Sequence, residues 1–184
     1  MQRKAHHNAS MQHRMIVRPQ PRSSNGMGLN PLHEDHIRGV AVTFSVSAPD
    51  LDPDAVSAVT GLQPDDSARR GDVRRNRAGT PRRPEVEGWW ALGTRGKLAT
   101  KDVREHFRYL HERLLPHAET FREFGRGGET FFDVFWQSTY LYAGTGPLLD
   151  AADLAGVAAL GAGMGFDIYQ VDEEVEGESA VPKA

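Results

Sequence analysis

The densest concentration of charge in this 184-residue chain is a run of arginines. Seven of them lie between positions 69 and 83, and Asp72 is the only acid in that stretch. Guanidinium groups donate paired hydrogen bonds that fit carboxylates and phosphates. We therefore expect these side chains to stay exposed and to bind an anion or an acidic partner: Arg69, Arg70, Arg74, Arg75, Arg77, Arg82 and Arg83.

Two alternatives compete with an external ligand for these arginines. The acidic run from Asp172 to Glu178 could neutralise them within the same chain. Arginine also supplies 18 of the 22 basic residues, in a chain rich in alanine and glycine. A GC-rich bacterial genome produces this bias, and it would enrich arginine without any function.

A second group of candidates is aromatic. Successive side chains of a β-strand point to opposite faces of the sheet. If Trp90, Phe132 and Trp136 face the core, the other face carries Trp89, Phe131, Phe135 and Tyr169. Aromatic residues on an uncovered sheet face mark a docking surface. The alternative is that a terminal tail, the arginine-containing loop or a second subunit covers them.

Motifs of catalysis are missing from the sequence. It contains no Gly-x-Ser-x-Gly elbow, no phosphate-binding glycine loop with lysine and no dinucleotide fingerprint. Residues 125–128 are rich in glycine but precede a strand rather than a helix, so we interpret them as a helix stop. Asp133 and Asp167 lie in predicted strands and could pair across the sheet, but acid–base chemistry needs a cleft as well. We predict no catalytic residue.

Histidines offer metal ligands in two places. His33 and His36 flank two acids in a segment predicted to be disordered, where the cost of ordering would oppose binding. His106 and His111 lie about 140° apart around a predicted helix and cannot share one ion. The chain has no cysteine, which excludes a thiolate site. We predict no metal site and no cofactor.

The apolar pattern defines one domain, at residues 39–172. Residues 1–38 show no apolar period and are predicted to be a disordered tail, as are the acidic residues 173–184. From Val40 to Val46, apolar residues alternate with small or polar ones, as in a strand with one buried face. We find no signal peptide and no membrane span. Together with the lack of cysteine, this predicts a cytoplasmic protein.

The first predicted helix has the clearest boundaries. Asp52 is placed as its N-cap, Pro53 as its first residue and Gly61 as its C-terminal stop. Val56 and Val59 are predicted to form its buried stripe.

Two longer helical segments follow. In the first, Thr100 is the predicted N-cap and an apolar stripe runs as far as Phe121, with Pro116 predicted to kink or interrupt the helix. The second begins with the capping pair Asp150 and Asp153. Its inward residues are predicted to be Leu154, Val157 and Ala158.

These segments predict a fold class. Further strands are expected at residues 88–94, 129–137 and 165–171, and residues 63–87 are expected to form a long surface loop. The element order is then β-α-β-α-β-α-β. It favours an α+β domain with about four strands in a mixed or antiparallel sheet and helices packed mainly on one face.

Several short motifs occur in a characteristic order along the chain. They are Phe44-Ser45-Val46, Asp50-Leu51-Asp52-Pro53-Asp54, Gly61-Leu62-Gln63-Pro64, Arg70-Gly71-Asp72, Gly88-Trp89-Trp90, Leu115-Pro116-His117-Ala118, and Leu160-Gly161 with Phe166-Asp167-Ile168-Tyr169. Over about residues 40–172 this pattern resembles the bacterial family known as domain of unknown function 4279. The chain departs from the family at Ala68, where an aromatic residue is common, and in a longer arginine loop. The resemblance implies no activity, ligand or catalytic residue.

These features favour a non-catalytic bacterial module that binds a protein partner, in an immunity-like or regulatory role. One alternative is nucleic-acid binding through the arginine loop and the sheet aromatics, although Asp133 between Phe131 and Phe135 would repel phosphate. Another alternative is an uncharacterised enzyme. We expect no membrane association, and self-association stays open.

Overall fold

The protein is an α+β domain built on one five-stranded sheet. A computed structural model describes residues 35–139 and 146–172, so most of the predicted N-terminal tail and all of residues 173–184 lie outside the described residues. The strands are β1 (Ile37–Ala48), β2 (Asp66–Ala68), β3 (Gly88–Gly93), β4 (Glu129–Ser138) and β5 (Gly163–Gln170). Their order across the sheet is β2-β3-β1-β4-β5. All neighbours are antiparallel except β4 and β5, which are parallel.

The predicted fold class is confirmed, with two differences in the strands. β2 lies inside the expected surface loop, and three residues are too few to show a strand period. β1 begins at Ile37, which we had expected in the tail, because Ile37 is buried and pairs with Ser138.

Four helices and one 3₁₀ turn complete the described part of the domain. They are α1 (Pro53–Thr60), α2 (Val103–Leu114), a 3₁₀ turn (Leu115–His117), α3 (Ala118–Phe124) and α4 (Ala151–Ala159). The predicted interruption at Pro116 is confirmed, since the 3₁₀ turn separates α2 from α3. The cap of α2 is Asp102 rather than Thr100, because the Asp102 carboxylate accepts the Arg104 amide at 3.0 Å.

The boundaries of α1 are as predicted, but of its predicted buried stripe only Val56 is buried. The Asp52 carboxylate accepts the Asp54 amide, and Gly61 ends the helix with a positive φ of 71°. The buried residues are Pro53, Val56 and Thr60, whereas Val59 is 63% exposed. Val59 lies roughly 90° around the helix from the centre of this buried face, so its assignment to the core was wrong.

The capping box at the start of α4 is confirmed, but two of its three predicted inward residues are wrong. Asp150 and Asp153 accept each other's backbone amides. Val157 is buried, while Leu154 and Ala158 are exposed. The residue that faces α2 is Gly156, and Leu154 lies on the opposite side of the helix.

The core is a cluster of aromatic rings on one face of the sheet. Phe44 of the central strand lies 4.9 Å from Phe121 and 5.1 Å from Phe132, measured between ring centroids. Phe132 in turn lies 5.3 Å from Phe107 of α2, and Trp90 lies 5.5 Å from Phe121 of α3. These contacts hold the helices to one face of the sheet.

Both helix histidines belong to this packed side rather than to a ligand site. The Nδ1 atom of His106 lies 2.6 Å from the Thr94 hydroxyl, and its Nε2 atom lies 3.0 Å from the Thr100 carbonyl oxygen. Since the Thr94 hydroxyl also accepts the Val42 amide at 2.9 Å, His106 ties the loop after β3 to the central strand.

The second histidine, His111, packs against Gly156 at the contact between α2 and α4. A Cβ atom added to Gly156 would lie within 2.6 Å of three atoms of the His111 ring. Burial lowers the pKa of His111, and the charge of Asp153 opposes this shift. Glycine at position 156 is therefore a requirement of the packing.

We predict that Gly156→Ala destabilises the domain by about 1–3 kcal/mol, because the added methyl overpacks the helix interface. Alanine is otherwise the better helix former, by up to about 1 kcal/mol. In a His111→Ala background, the same change should therefore raise the free energy of urea unfolding. If Gly156→Ala changes the free energy of unfolding in the same direction in both backgrounds, the contact with the His111 ring is not what requires glycine at position 156.

We predict that stability decreases as the pH falls below about 6.5, the pKa of an unfolded histidine. The folded His111 binds a proton more weakly than the unfolded chain does, so protons favour unfolding. Burial raises the pKa of Asp153, which therefore acts in the opposite direction. His111→Gln should flatten the pH dependence of urea unfolding between about pH 7 and 5.5. His117→Gln is the matched control, and equal flattening by both variants would contradict the assignment.

Candidate functional site

Residues 69–85 form an ordered hairpin, which we name the arginine hairpin. Its sides are joined by backbone hydrogen bonds from Gly71 to the Glu85 carbonyl at 2.8 Å and from Arg82 to the Arg74 carbonyl at 2.7 Å. At the tip, the Asn76 side chain accepts two backbone amides, at 2.9 and 3.0 Å. These bonds give order to a segment that we had predicted to be only a long surface loop.

Three arginines of the hairpin pair with acids from outside it. The pairs are Arg69 with Asp52 and Asp54, Arg70 with Asp50 at 3.7 Å, and Arg74 with Asp66 at 2.5 Å. The hydrogen bond to Asp54, and then the charge of Asp52, raise the pKa of Arg69. These arginines therefore attach the hairpin to the cap of α1 and to β2, a role that the sequence did not indicate.

The remaining four arginines are Arg75 and Arg77 near the tip, and Arg82 and Arg83 on the returning side of the hairpin, where the Arg82 amide donates to the Arg74 carbonyl oxygen. All four are exposed. Arg75 donates to the carbonyl oxygen of Gly79 at 2.8 Å. Within residues 35–139 and 146–172, none of the four forms an ion pair, so their positive charge faces solvent.

The four predicted aromatic residues share the side of the sheet opposite the helices, which we name the outer face. Trp89 pairs with Ser47, and Phe131 with Ser45, so the two rings flank a polar strip on β1. A similar cluster forms at the β5 end, where the rings of Phe135 and Tyr169 lie 5.6 Å apart. The described helices contact the other side of the sheet, which leaves these rings half-buried or exposed.

Two cations lie over rings of the outer face. The guanidinium carbon of Arg74 is 5.0 Å from the centre of the Trp89 ring, and that of Arg95 is 4.6 Å from the Phe135 ring. Arg74 therefore joins the arginine hairpin to the aromatic surface. Arg95 was missed at the sequence level because it lies alone after β3, and only the fold brings it to Phe135.

A groove of about 460 Å³ opens between these features. Its lining includes Thr43, Asp65, Trp89 and Arg95. The Asp65 carboxylate accepts the Gly93 amide and the Lys97 ammonium, both at 2.7 Å, so this acid is already neutralised. The groove thus offers an aromatic wall, a hydroxyl and a guanidinium to a ligand.

The two strand acids also lie on the outer face. Asp133 pairs across the strands with Gly165, and Asp167 pairs with Phe135, which places the carboxylates diagonally to each other. Burial raises the pKa of Asp133, the charge of Asp167 raises it further, and Arg95 opposes both. The two acids add negative charge to the β5 side of the outer face.

Metal ligands do not converge in the part of the chain that the structure describes. No three His, Asp or Glu side chains there come together as a set that could hold an ion. His33 lies outside the described residues, and the Nδ1 atom of His36 lies 3.3 Å from the Thr139 hydroxyl. No helix among the described residues is long and apolar enough to cross a membrane.

The fold and the surface define an α+β domain whose helices cover one face of the sheet and whose other face carries aromatic rings beside an arginine hairpin. The chain belongs to the family described as Domain of unknown function (DUF4279), whose family model matches residues 36–171. This match confirms the resemblance that the motifs indicated. Searches of curated proteins and of solved structures found no match.

We predict that the adjacent tryptophans differ sharply in their contribution to stability. Trp90 is fully buried, so Trp90→Ala should cost about 3–5 kcal/mol as a cavity mutation. Trp89 is half-buried beneath Arg74, and Trp89→Ala should cost less than half as much. The free energies of urea unfolding of the two variants compare neighbouring residues of one strand. Equal costs would show that the outer face is covered and would exclude it as a docking surface.

Proposed function

We propose that this domain is a non-catalytic bacterial binding module that holds an acidic segment of a protein partner. The segment would lie along the outer face and the arginine hairpin. The observation that carries the proposal is the position of Arg74, which stacks on Trp89 and pairs with Asp66. This arrangement makes one continuous surface from the hairpin to the aromatic rings.

The charge of the hairpin specifies the chemistry of the partner. Four guanidinium groups of the hairpin have no ion pair among the described residues, and each can bind a carboxylate in a bidentate manner. The groove beside Trp89 accepts an apolar or hydroxyl side chain. A peptide segment that alternates acidic and apolar residues matches both parts of this surface.

The acids of the outer face favour a protein partner over nucleic acid. Asp133 and Asp167 lie among the rings on which bases would have to stack. A phosphate backbone following those rings would meet negative charge, whereas a polypeptide can place neutral or basic residues there. The expected bacterial and cytoplasmic setting belongs to the same proposal and is supported by composition and by the lack of cysteine.

The test uses a fluorescent ten-residue peptide of alternating Glu and Leu, with its Lys-Leu counterpart as the reversed-charge control. We expect the Glu-Leu peptide alone to bind in fluorescence anisotropy at about 50 mM salt, and more weakly at about 200 mM. Arg77→Ser with Arg83→Ser should weaken binding by about 3- to 10-fold, which is the loss of two partly screened charge pairs. The matched control, Arg108→Ser with Arg126→Ser, removes the same charge from exposed positions outside the hairpin.

Two outcomes would contradict the proposal. Equal weakening by the two double variants would mean that net charge, rather than the hairpin, attracts the peptide. Tighter binding of a ten-nucleotide oligothymidine than of the Glu-Leu peptide, with a strong salt dependence, would favour the nucleic-acid alternative.

A further inference from the structure

We infer that two copies of this chain associate through β5, so that their two sheets join into one ten-stranded sheet. β5 lies at the edge of the sheet, and within the described residues only β4 pairs with it. This inference concerns a different edge of the domain from the hairpin and does not depend on the proposed function.

The outer edge of β5 presents backbone groups that no strand of the described residues pairs with. The Val171 amide donates to the Ser138 carbonyl oxygen at 3.0 Å, on the side that faces β4. Backbone groups alternate in direction along a strand. The odd-numbered residues of β5 therefore bond to β4, and the amides and carbonyls of Phe166 and Ile168 point to the free edge.

Apart from the charge of Asp167, β5 lacks the features that protect an edge strand from pairing. Monomeric proteins shield such edges with lysine, proline, bulges or very short strands. β5 has eight residues, no basic residue and no proline, and it pairs with β4 without a register shift. Its side chains are exposed as well, with Phe166 at 44%, Ile168 at 46% and Tyr169 at 49%.

The opposite edge of the same sheet provides an internal comparison. β2 has only three residues, and the arginine hairpin follows it directly. Its first residue, Asp66, forms an ion pair with Arg74. One edge of the sheet is thus short and rich in charge, while the other is long and carries a single charged residue, Asp167.

The residues of β5 also complement a second copy of themselves. With a two-fold axis at Phe166, an antiparallel pair places Met164 opposite the second copy's Ile168. The same register places Gly163 opposite Tyr169 and Gly165 opposite Asp167, so each small residue meets a large one. In this register the Asp167 carboxylate of one copy lies two residues along the strand from that of the other copy. A two-fold axis at position 167 would instead place the two carboxylates directly opposite each other, which is unfavourable.

The exposed area is close to what a specific dimer requires. Phe166 and Tyr169, each about half exposed, can each bury on the order of 100 Å². Ile168 adds a comparable amount on each copy. The total reaches about 600 Å² from these three side chains, and the backbone edge and Met164 bring it toward the lower limit of about 1,000 Å² for specific interfaces. We therefore expect micromolar association.

The proposed pairing also determines where the two outer faces lie. The two-fold axis is perpendicular to the sheet. Odd-numbered residues of β5 in one copy therefore lie opposite odd-numbered residues of β5 in the other copy. The outer faces of the two copies therefore lie on the same side of the joined sheet. The two arginine hairpins lie at its far ends, because β2 and β5 are opposite edges.

The first test is the mass of the full chain in solution, measured by light scattering and sedimentation from about 1 to about 200 µM, a range that spans micromolar dissociation constants. We expect the mass to approach twice the 20.3 kDa of one chain. Ile168→Lys and Met164→Glu should each weaken the dimer at least about tenfold, because each places a charge in an apolar contact. The double variant should restore it, because the introduced ammonium and carboxylate then face each other across the axis. Val59→Lys, at an exposed apolar residue of α1, is the matched control and should leave the dimer intact.

A second test does not depend on the stability of charged variants. The chain has no cysteine, so one introduced thiol can bond only to its counterpart. In the proposed register, Phe166→Cys places two Cα atoms about 5.5 Å apart, within disulfide range. Gln170→Cys on the same strand places them more than about 25 Å apart. Mild oxidation should cross-link the first variant and not the second.

Three results would overturn the inference. They are a monomer at the highest concentration, a dimer that survives both Ile168→Lys and Met164→Glu, and equal cross-linking of the two cysteine variants. The first would leave the β5 edge unpaired, and the other two would place any association elsewhere or in another register.

Discussion

The packing of Phe44 against Phe121 and Phe132 is the interaction on which the rest of the structure depends. Phe44 lies on the central strand, so its ring occupies the middle of the face that the helices cover. Alternation along β1 then sends Thr43, Ser45 and Ser47 to the other face. With the helices held on one side, the outer face carries small polar residues at its centre and aromatic rings around them. The outer face is not covered by the described helices because they pack with the core on the other face.

A second constraint couples the first helix to the arginine hairpin. Asp52 caps α1 and also lies 2.9 Å from Arg69, so one carboxylate serves both elements. Exposed ion pairs of this kind are individually weak and are screened by salt. The order of the hairpin therefore depends more on its backbone hydrogen bonds, and the ion pairs set its direction. The other four arginines of the hairpin form no ion pair in the described part of the chain.

Sequence reasoning recovered the features that depend on local chemistry. Alternation identified β1 and β4, Asp52 and Gly61 bounded α1, and Pro116 interrupted the long helical segment. These signals act within a few residues, so one sequence contains them in full. The faces of the short helices were harder to predict. Val59 and Leu154 are apolar but exposed, because α1 and α4 have barely two turns and tertiary contacts decide which side is buried.

The residues of the candidate site were predictable from the sequence, but the contacts between them were not. The arginines and the outer-face aromatics were recognisable as groups, but the partners of Arg69, Arg70 and Arg74 are separated from them by 8 to 20 residues. Arg95, which follows β3, reaches Phe135 of β4 across the intervening strand β1. Such contacts arise from strand order, which a single sequence does not encode locally. The contrast between the edge strands β2 and β5 was not predictable for the same reason. The sequence gives the residues of each strand, but only the folded sheet determines which strands lie at its edges. A strand with the apolar residues of β5 is ordinary in the middle of a sheet, whereas at the edge it can pair with another chain.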